Sequence, residues 1–317
     1  MGIFVEVPGI LTTVQDEGRF GYQQFGVSPA GPMDTMSFAL ANLLVGNRQN
    51  EGLLELTFSG PTLRFTQDNV IAVTGGNLSP QLNDQPLPMY QAVSVSRGDI
   101  LSFGMMCGKG SRAYLAFAGG LDIPLVMGSK STLIRNELGG LKGRKLAAED
   151  EIGFVRPAKT LPDMETRKLT PEVFGEKEVV LRVVTGPQDT DFSEEELRSF
   201  FWYGAEITNE FDRMGCRLKR EEPLHHLGDG NIITDGIAFG SIQVPSNGQP
   251  IIMLADRQST GGYTKIGTVI TVDLPKLTQS IAGNRVRFIR ISLELAQELY
   301  VRRWEQLNRL EQRWCCF

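Results

Sequence analysis

Residues 240–263, GSIQVPSNGQPIIMLADRQSTGGY, gather more side chains able to do chemistry than any other stretch of the chain. Gln243 lies in a short apolar run. A second run, Ile251 to Ala255, leads into Asp256-Arg257-Gln258-Ser259-Thr260-Gly261-Gly262-Tyr263. An acid, a base, an amide, two hydroxyls and paired glycines within eight positions can hold an anion or an amide and move a proton. The runs around Ile242–Val244 and Ile251–Leu254 are expected as strands, joined as a hairpin by the turn residues Pro245-Ser246-Asn247-Gly248. The polar cluster is then expected where a buried strand emerges. Its Gly-Gly pair is expected as a turn that lets backbone approach a ligand.

Three other clusters carry possible chemistry. TTVQDEGRFG (12–21) places Gln15, Asp16 and Arg19 in a Gly-flanked loop at the end of a strand; a plain turn with an Asp–Arg pair is the structural alternative. AGGLDIPLVMGSKST (118–132) and GGLKGR (139–144) are glycine-rich, with hydroxyls and bases, and such loops can cradle an anion. Gly119, Gly120, Ser129, Thr132 and Arg144 are its candidates, against turns in a β-barrel. Neither Gly104–Lys109 nor Gly128–Thr132 keeps Walker spacing, so a P-loop is not expected. In FDRMGCRL (211–218), Arg213, Gly215 and Arg217 share a face if the stretch is extended. Two guanidiniums there would clamp a carboxylate or phosphate if the face lines a cleft, and would be solvated charges otherwise.

The elements that must position these groups are mostly short strands. Ile3–Val7, Leu63–Phe65, Val70–Thr74, Val93–Val95, Ile100–Phe103 and Ala113–Phe117 read as strands in residues 1–160, around one helix capped by Asp34 and ended at Gly46-Asn47. Residues 161–178 are polar and uneven, as a linker would be. Residues 179–291 open with the strand Val179–Thr185 and a helix capped at Ser193. Strands are then expected near 205–208, 232–234, 238–244, 251–254, 268–272 and 285–291. Residues 292–317 have a helical period through Leu295, Leu299, Trp304, Leu307 and Leu310. A mainly β chain of two barrel-like domains with a C-terminal helix is the expected fold class.

Bulk properties narrow the function. The 317 residues exceed one compact core, and 35 glycines with 16 prolines favour a turn-rich β protein. A net charge of -5 disfavours a nucleic-acid partner. No stretch reaches the roughly 20 apolar residues of a membrane helix, and the start lacks a signal-peptide pattern. A cytoplasmic location without membrane attachment is expected. The four cysteines and the adjacent His225-His226 have no metal-ligand spacing, so no metal site is expected.

TTVQDEGR, GPMD, LANLLVGN, LAFAGGLDIP, MGSKST, GGLKGR, DRMGCRL, GSIQVPSNGQP and ADRQSTGGY, in this order over Ile3 to about Arg290, resemble the allophanate hydrolase subunit 2 (KipA) family. Its free-standing bacterial members are C subunits of ATP-dependent 5-oxoprolinase. Ser259, Thr264 and Phe211 depart from the usual Thr, Pro and small polar residue of the family. The resemblance implies cyclophilin-like β-barrels, a KipI-like B subunit as direct partner with which the active site is shared, and a separate A subunit. It implies that the complex consumes ATP with Mg to open 5-oxo-L-proline to L-glutamate, no cofactor being built into this chain, and that the chain alone is inactive. Under it Asp256, Gln243, Arg213 and Tyr263 are the catalytic candidates, and Arg19, Gln15, Arg217, Gln258, Thr260, Gly261 and Gly262 those for substrate. Two alternatives stay open. One is a carboxyltransferase component of a biotin-dependent urea or amide carboxylase. The other is a non-catalytic antagonist of a KipI-like kinase inhibitor.

Overall fold

The computed structural model describes residues 2–108 and 110–317, so Met1 and Lys109 (the lysine of the degenerate loop weighed above) lie outside the described residues. The chain forms two compact units. One comprises Met1–Arg19, Ala30–Gly175 and Glu305–Phe317; the other comprises Phe20–Pro29 and Glu176–Trp304. Residues 161–175, expected as linker, group with the first unit, where Leu161 is buried beside its helix.

The first unit contains β1 (Gly2–Val7), β2 (Leu11–Gln15), α1 (Thr35–Leu44), β3 (Leu53–Thr57), β4 (Thr62–Phe65), β5 (Asn69–Gly75), β6 (Gln81–Leu82), β7 (Gln85–Pro86), β8 (Val93–Val95), β9 (Ile100–Ser102), β10 (Arg112–Phe117), β11 (Leu121–Asp122) and β12 (Glu151–Phe154). They form a seven-stranded sheet, β11-β12-β1-β4-β9-β6-β7, and a five-stranded one, β2-β3-β10-β5-β8. Strand alternation explains the two cores. Ile71, Val73, Leu115 and Phe117 meet Ile3, Val5, Leu63 and Ile152 of the other sheet. Val70, Ala72, Tyr114 and Ala116 point the other way, onto Phe38, Leu40, Leu43 and Leu44. With both faces covered, β5 and β10 are buried at every position. Asp34 caps α1, its Oδ1 accepting from Met36 and Ser37 N–H. The buried Arg167 guanidinium donates to Leu43 and Leu44 carbonyls at the far end, satisfying groups a helix terminus leaves open.

The second unit contains β13 (Glu178–Thr185), α2 (Glu194–Tyr203), β14 (Ala205–Phe211), β15 (Gly215–Lys219), β16 (Asn231–Gly236), β17 (Ser241–Val244), β18 (Ile251–Met253), β19 (Thr260–Val269), α3 (Leu274–Thr278) and β20 (Arg285–Arg290), with α4 (Leu293–Trp314) beginning in it. The order β13-β20-β14-β15-β18-β17-β19 closes on itself through β13–β19, a seven-stranded barrel with β16 added outside β19. Only β13–β20 is parallel among these pairs. Leu181, Val183, Ile207, Ile242, Val244, Ile252, Ile266 and Phe288 are buried, and Phe200 of α2 stacks on Phe288 at 4.4 Å between ring centroids. Arg220 mirrors Arg167, donating to Gly204 O just past α2 and to Ser199 Oγ. The last turns of α4 belong to the first unit, where Leu307 and Trp314 are buried and Gln49 binds Asn308 and Glu311.

Candidate functional site

A cleft of about 480 Å³ opens on the second unit, and its lining includes Gln243, Gln258, Tyr263, Arg217, Asp212 and Glu210. Alternation along β17 sends Ile242 and Val244 into the barrel and Gln243 to the opposite face. A register shift against β19 falls at Ile242/Gln243, the kind of irregularity that re-aims a side chain. Gln243 is still only 2% exposed, and its Nε2 has no hydrogen-bond partner among the described residues. Leaving a buried donor unpaired costs about 1–3 kcal/mol, so this amide is set to meet an acceptor the chain does not supply.

Thr260, Gly261, Gly262 and Tyr263 lie in the ten-residue strand β19, not in the turn the sequence led us to expect. β16 pairs with this part of β19 (Tyr263↔Asn231, Gly261↔Asp235, Thr260↔Gly236) and holds it extended. Lys265, nearly buried, ties β16 down by donating to Asp235 Oδ2 at 2.6 Å and Gly236 O at 3.0 Å. That ammonium holds the Asp235 carboxyl below its ordinary pKa. Gly261 is needed for space. A Cβ there would stand 2.7 Å from Gln243 Nε2, 2.7 Å from Ile237 Cδ1 and 2.9 Å from Gln258 Nε2. The two glutamine amides therefore converge over one glycine.

The arginine face expected over 213–217 does not form. Asp212 Oδ1 accepts from Met214 and Gly215 N–H, a side-chain turn that delays β15 to Gly215. Arg213 stands in that turn, 6% exposed, with Nε 3.0 Å from Asp256 Oδ2 and Nη2 2.9 Å from Asp256 Oδ1. Asp256 N–H also donates to Arg213 O. Arg217 is half exposed and pairs with Glu210 at 2.8 Å. Arg257, the base of the 256–263 cluster, carries no assigned role in the sequence reading. Burial pushes its guanidinium down to about 10 despite the neighbouring Asp256, and it donates to Ile237 and Leu254 carbonyls. A lone cation inside a motif otherwise made of exposed residue types left no signal of this burial.

The remaining candidates belong to the first unit. Asp16 Oδ1 accepts from Ser129 Oγ (2.6 Å), Ser131 Oγ (2.6 Å) and Gly18 N–H (3.0 Å), and Oδ2 from Lys130 N–H (2.5 Å). The 128–132 loop thus cradles an anion that is the chain's own carboxylate. Gln15 Nε2 donates to Thr13 Oγ1 and Thr132 O, and Thr132 Oγ1 donates to Val14 O. Arg19 is fully buried, donating to Val126 and Ser131 carbonyls. Arg144 grips Asp150 through both nitrogens at 2.7 Å, Gly119 N–H donates to Asn47 Oδ1, and Gly120 O accepts from Val155 N–H. A larger concavity of about 610 Å³ in this unit, with Pro80, Pro86, Tyr90 and Phe174 in its wall, contains none of the predicted site residues.

A closed barrel with an edge cleft of uncharged amides is the setting in which the relatives are informative. Residues 25–290 match the family model "Carboxyltransferase domain, subdomain A and B", and the chain belongs to that family. It is 35% identical over 288 residues to the C subunit of 5-oxoprolinase from Escherichia coli, covering 91% of each chain, and 36% identical over 296 residues to that of Haemophilus influenzae, covering 90% of each. The urea amidolyase of Lachancea kluyveri is 34% identical over 315 residues, but the chain spans only 17% of that protein. Among solved structures, K. lactis urea amidolyase superposes with a TM-score of 0.89 at 31% identity, over 98% of this chain and 20% of that one. Among the described residues, no helix is long and apolar enough to cross a membrane.

Proposed function

We propose that this chain is the C component of an ATP-dependent 5-oxoprolinase, and that the cleft of its second unit engages the lactam amide of 5-oxo-L-proline. The observation that carries this reading is the buried, unpartnered Nε2 of Gln243, beside Gln258 and Tyr263. The near-full-length match to relatives named as C subunits of 5-oxoprolinase supports the choice of reaction. A lactam resists attack because nitrogen donates into its carbonyl. Phosphorylating the oxygen with ATP, with loss of ADP, creates a leaving group. Water then adds to the ring carbon, the C–N bond breaks to give the amine of a γ-glutamyl phosphate, and a second water releases phosphate to leave glutamate. Donors fixed where charge grows on oxygen lower such barriers. Gln243 supplies a donor, and Ile251 and Met253 give the cleft an apolar wall beside it. Nucleotide and Mg are assigned to the KipI-like B subunit and the A subunit; in this chain the 128–132 loop, which resembles a phosphate cradle, is filled by Asp16.

The close superposition on urea amidolyase supports a second reading, carboxyl transfer to a urea-type amide at the same cleft. Biotin bound to another chain would supply the carboxyl group there. The test mixes this chain with the A and B subunits and measures glutamate formed from 5-oxoproline and ATP. The expected result is glutamate that disappears without this chain and falls about 10- to 100-fold in kcat/KM for Gln243→Met, the range of roughly 1.4 to 2.7 kcal/mol. A stable complex that forms no glutamate removes the 5-oxoprolinase reading and leaves carboxyl transfer, or regulation without catalysis, to be assayed.

A further inference from the structure

Charge and engagement divide the polar groups of the cleft. Arg217 is paired with Glu210 at 2.8 Å. Asp212 turns Oδ1 back onto Met214 and Gly215 N–H. Arg213, the guanidinium nearest in sequence, is chelated by Asp256 and is not in the lining. The groups left open are neutral: the Gln243 Nε2, and the side chains of Gln258 and Tyr263, which make no hydrogen bond among the described residues. With Arg217 offset by Glu210, the residual charge of the lining is that of Asp212 and is negative. A carboxylate or phosphate in this cleft would meet a net negative lining, whose cation Arg217 is already paired through Nε with Glu210. An uncharged amide would meet unengaged donors and acceptors.

We propose that the cleft binds the uncharged amide part of its ligand, a lactam or urea-type group, and that the anionic part of the ligand is held by groups outside the cleft. This rests on the amide reading given under Proposed function. For a 5-oxoproline ligand, the site is incomplete without another surface bearing the cation. Specificity is then split: this cleft selects the amide, and the other surface rejects lactams that lack the carboxylate.

Three compounds that share a five-membered ring test this with the full chain alone, by ligand-observed NMR titration: 2-pyrrolidinone, 5-oxo-L-proline and cyclopentanecarboxylate. Urea serves as a fourth probe. The expected result is 2-pyrrolidinone binding about fivefold tighter than 5-oxoproline, with no displacement by cyclopentanecarboxylate. Asp212→Asn retains the turn-forming Oδ1 and removes the charge, so it should tighten 5-oxoproline about threefold and leave 2-pyrrolidinone unchanged. Tighter binding of 5-oxoproline than of 2-pyrrolidinone, displacement by cyclopentanecarboxylate, or no binding of any neutral probe overturns the proposal. Urea binding without lactam binding upholds the neutral selection while removing the lactam reaction, so the two failures are separable.

Discussion

Arg213 and Asp256 hold each other by two nearly parallel hydrogen bonds in a site where both are almost buried. Removing one member of such a pair strands the other charge, at a cost of about 3–5 kcal/mol. Asp256→Asn is therefore expected to lower the unfolding free energy by about 3 kcal/mol in urea denaturation, so a loss of activity there needs a stability measurement beside it. An unchanged midpoint would show that the pair is not buried as described. The convergence of Gln243 with Gln258 and Tyr263 was legible because a hairpin must bring β17 beside the segment after β18, whatever its register. The roles of the arginines were not. Periodicity treats Arg213 and Arg217 alike, whereas the Asp212 side chain bends the backbone between them. Asp16 shows the same limit, since a loop rich in N–H and hydroxyl donors says nothing of whose anion it holds.

Elements with a local signal were the most legible. The Asp34 cap and the apolar stripe after it place α1, and the period of residues 293–314 marks α4. Asp34→Ala should cost about 1–2 kcal/mol, the usual range for a cap, read as a lower melting temperature with the fold retained. β2 and β3 were passed over. In Leu53–Thr57, all five residues are buried although Glu55 and Thr57 are polar. Glu55 is tolerated because Met33 N–H and Tyr114 O–H donate to its Oε2, partners distant in sequence. The start of β19 was hidden by its glycines, which favour turns locally. Pairing with β16 overrides that preference, as tertiary context often does for strands.

At the scale of the whole molecule, acid is expected to act on the second unit through Asp273. Burial alone would raise its carboxyl. The Arg182 guanidinium and backbone N–H, with Lys276, outweigh that and hold it below its ordinary value. A depressed folded pKa stabilises the fold above the unfolded value of about 3.9, and this contribution is lost as pH falls through the folded value. Melting temperatures from pH 7 to 2.5 should therefore drop below about pH 4. In Asp273→Asn the drop should be shallower, starting from a less stable protein at pH 7. A variant with an acid limb as steep as the parent's would place the titrating group elsewhere.

Asp16 sits in its loop as a tethered carboxylate, and a tether can be cut. Asp16→Gly leaves Ser129, Ser131, Gly18 and the Lys130 N–H aimed at one vacancy the size of a small acid. That variant should be destabilised by about 3 kcal/mol, from several donors left unpaired. Millimolar formate should restore part of the loss, where chloride at equal ionic strength should not. Chemical rescue of this kind would turn a structural strut into a receptor for a small carboxylate, with the melting temperature as its readout.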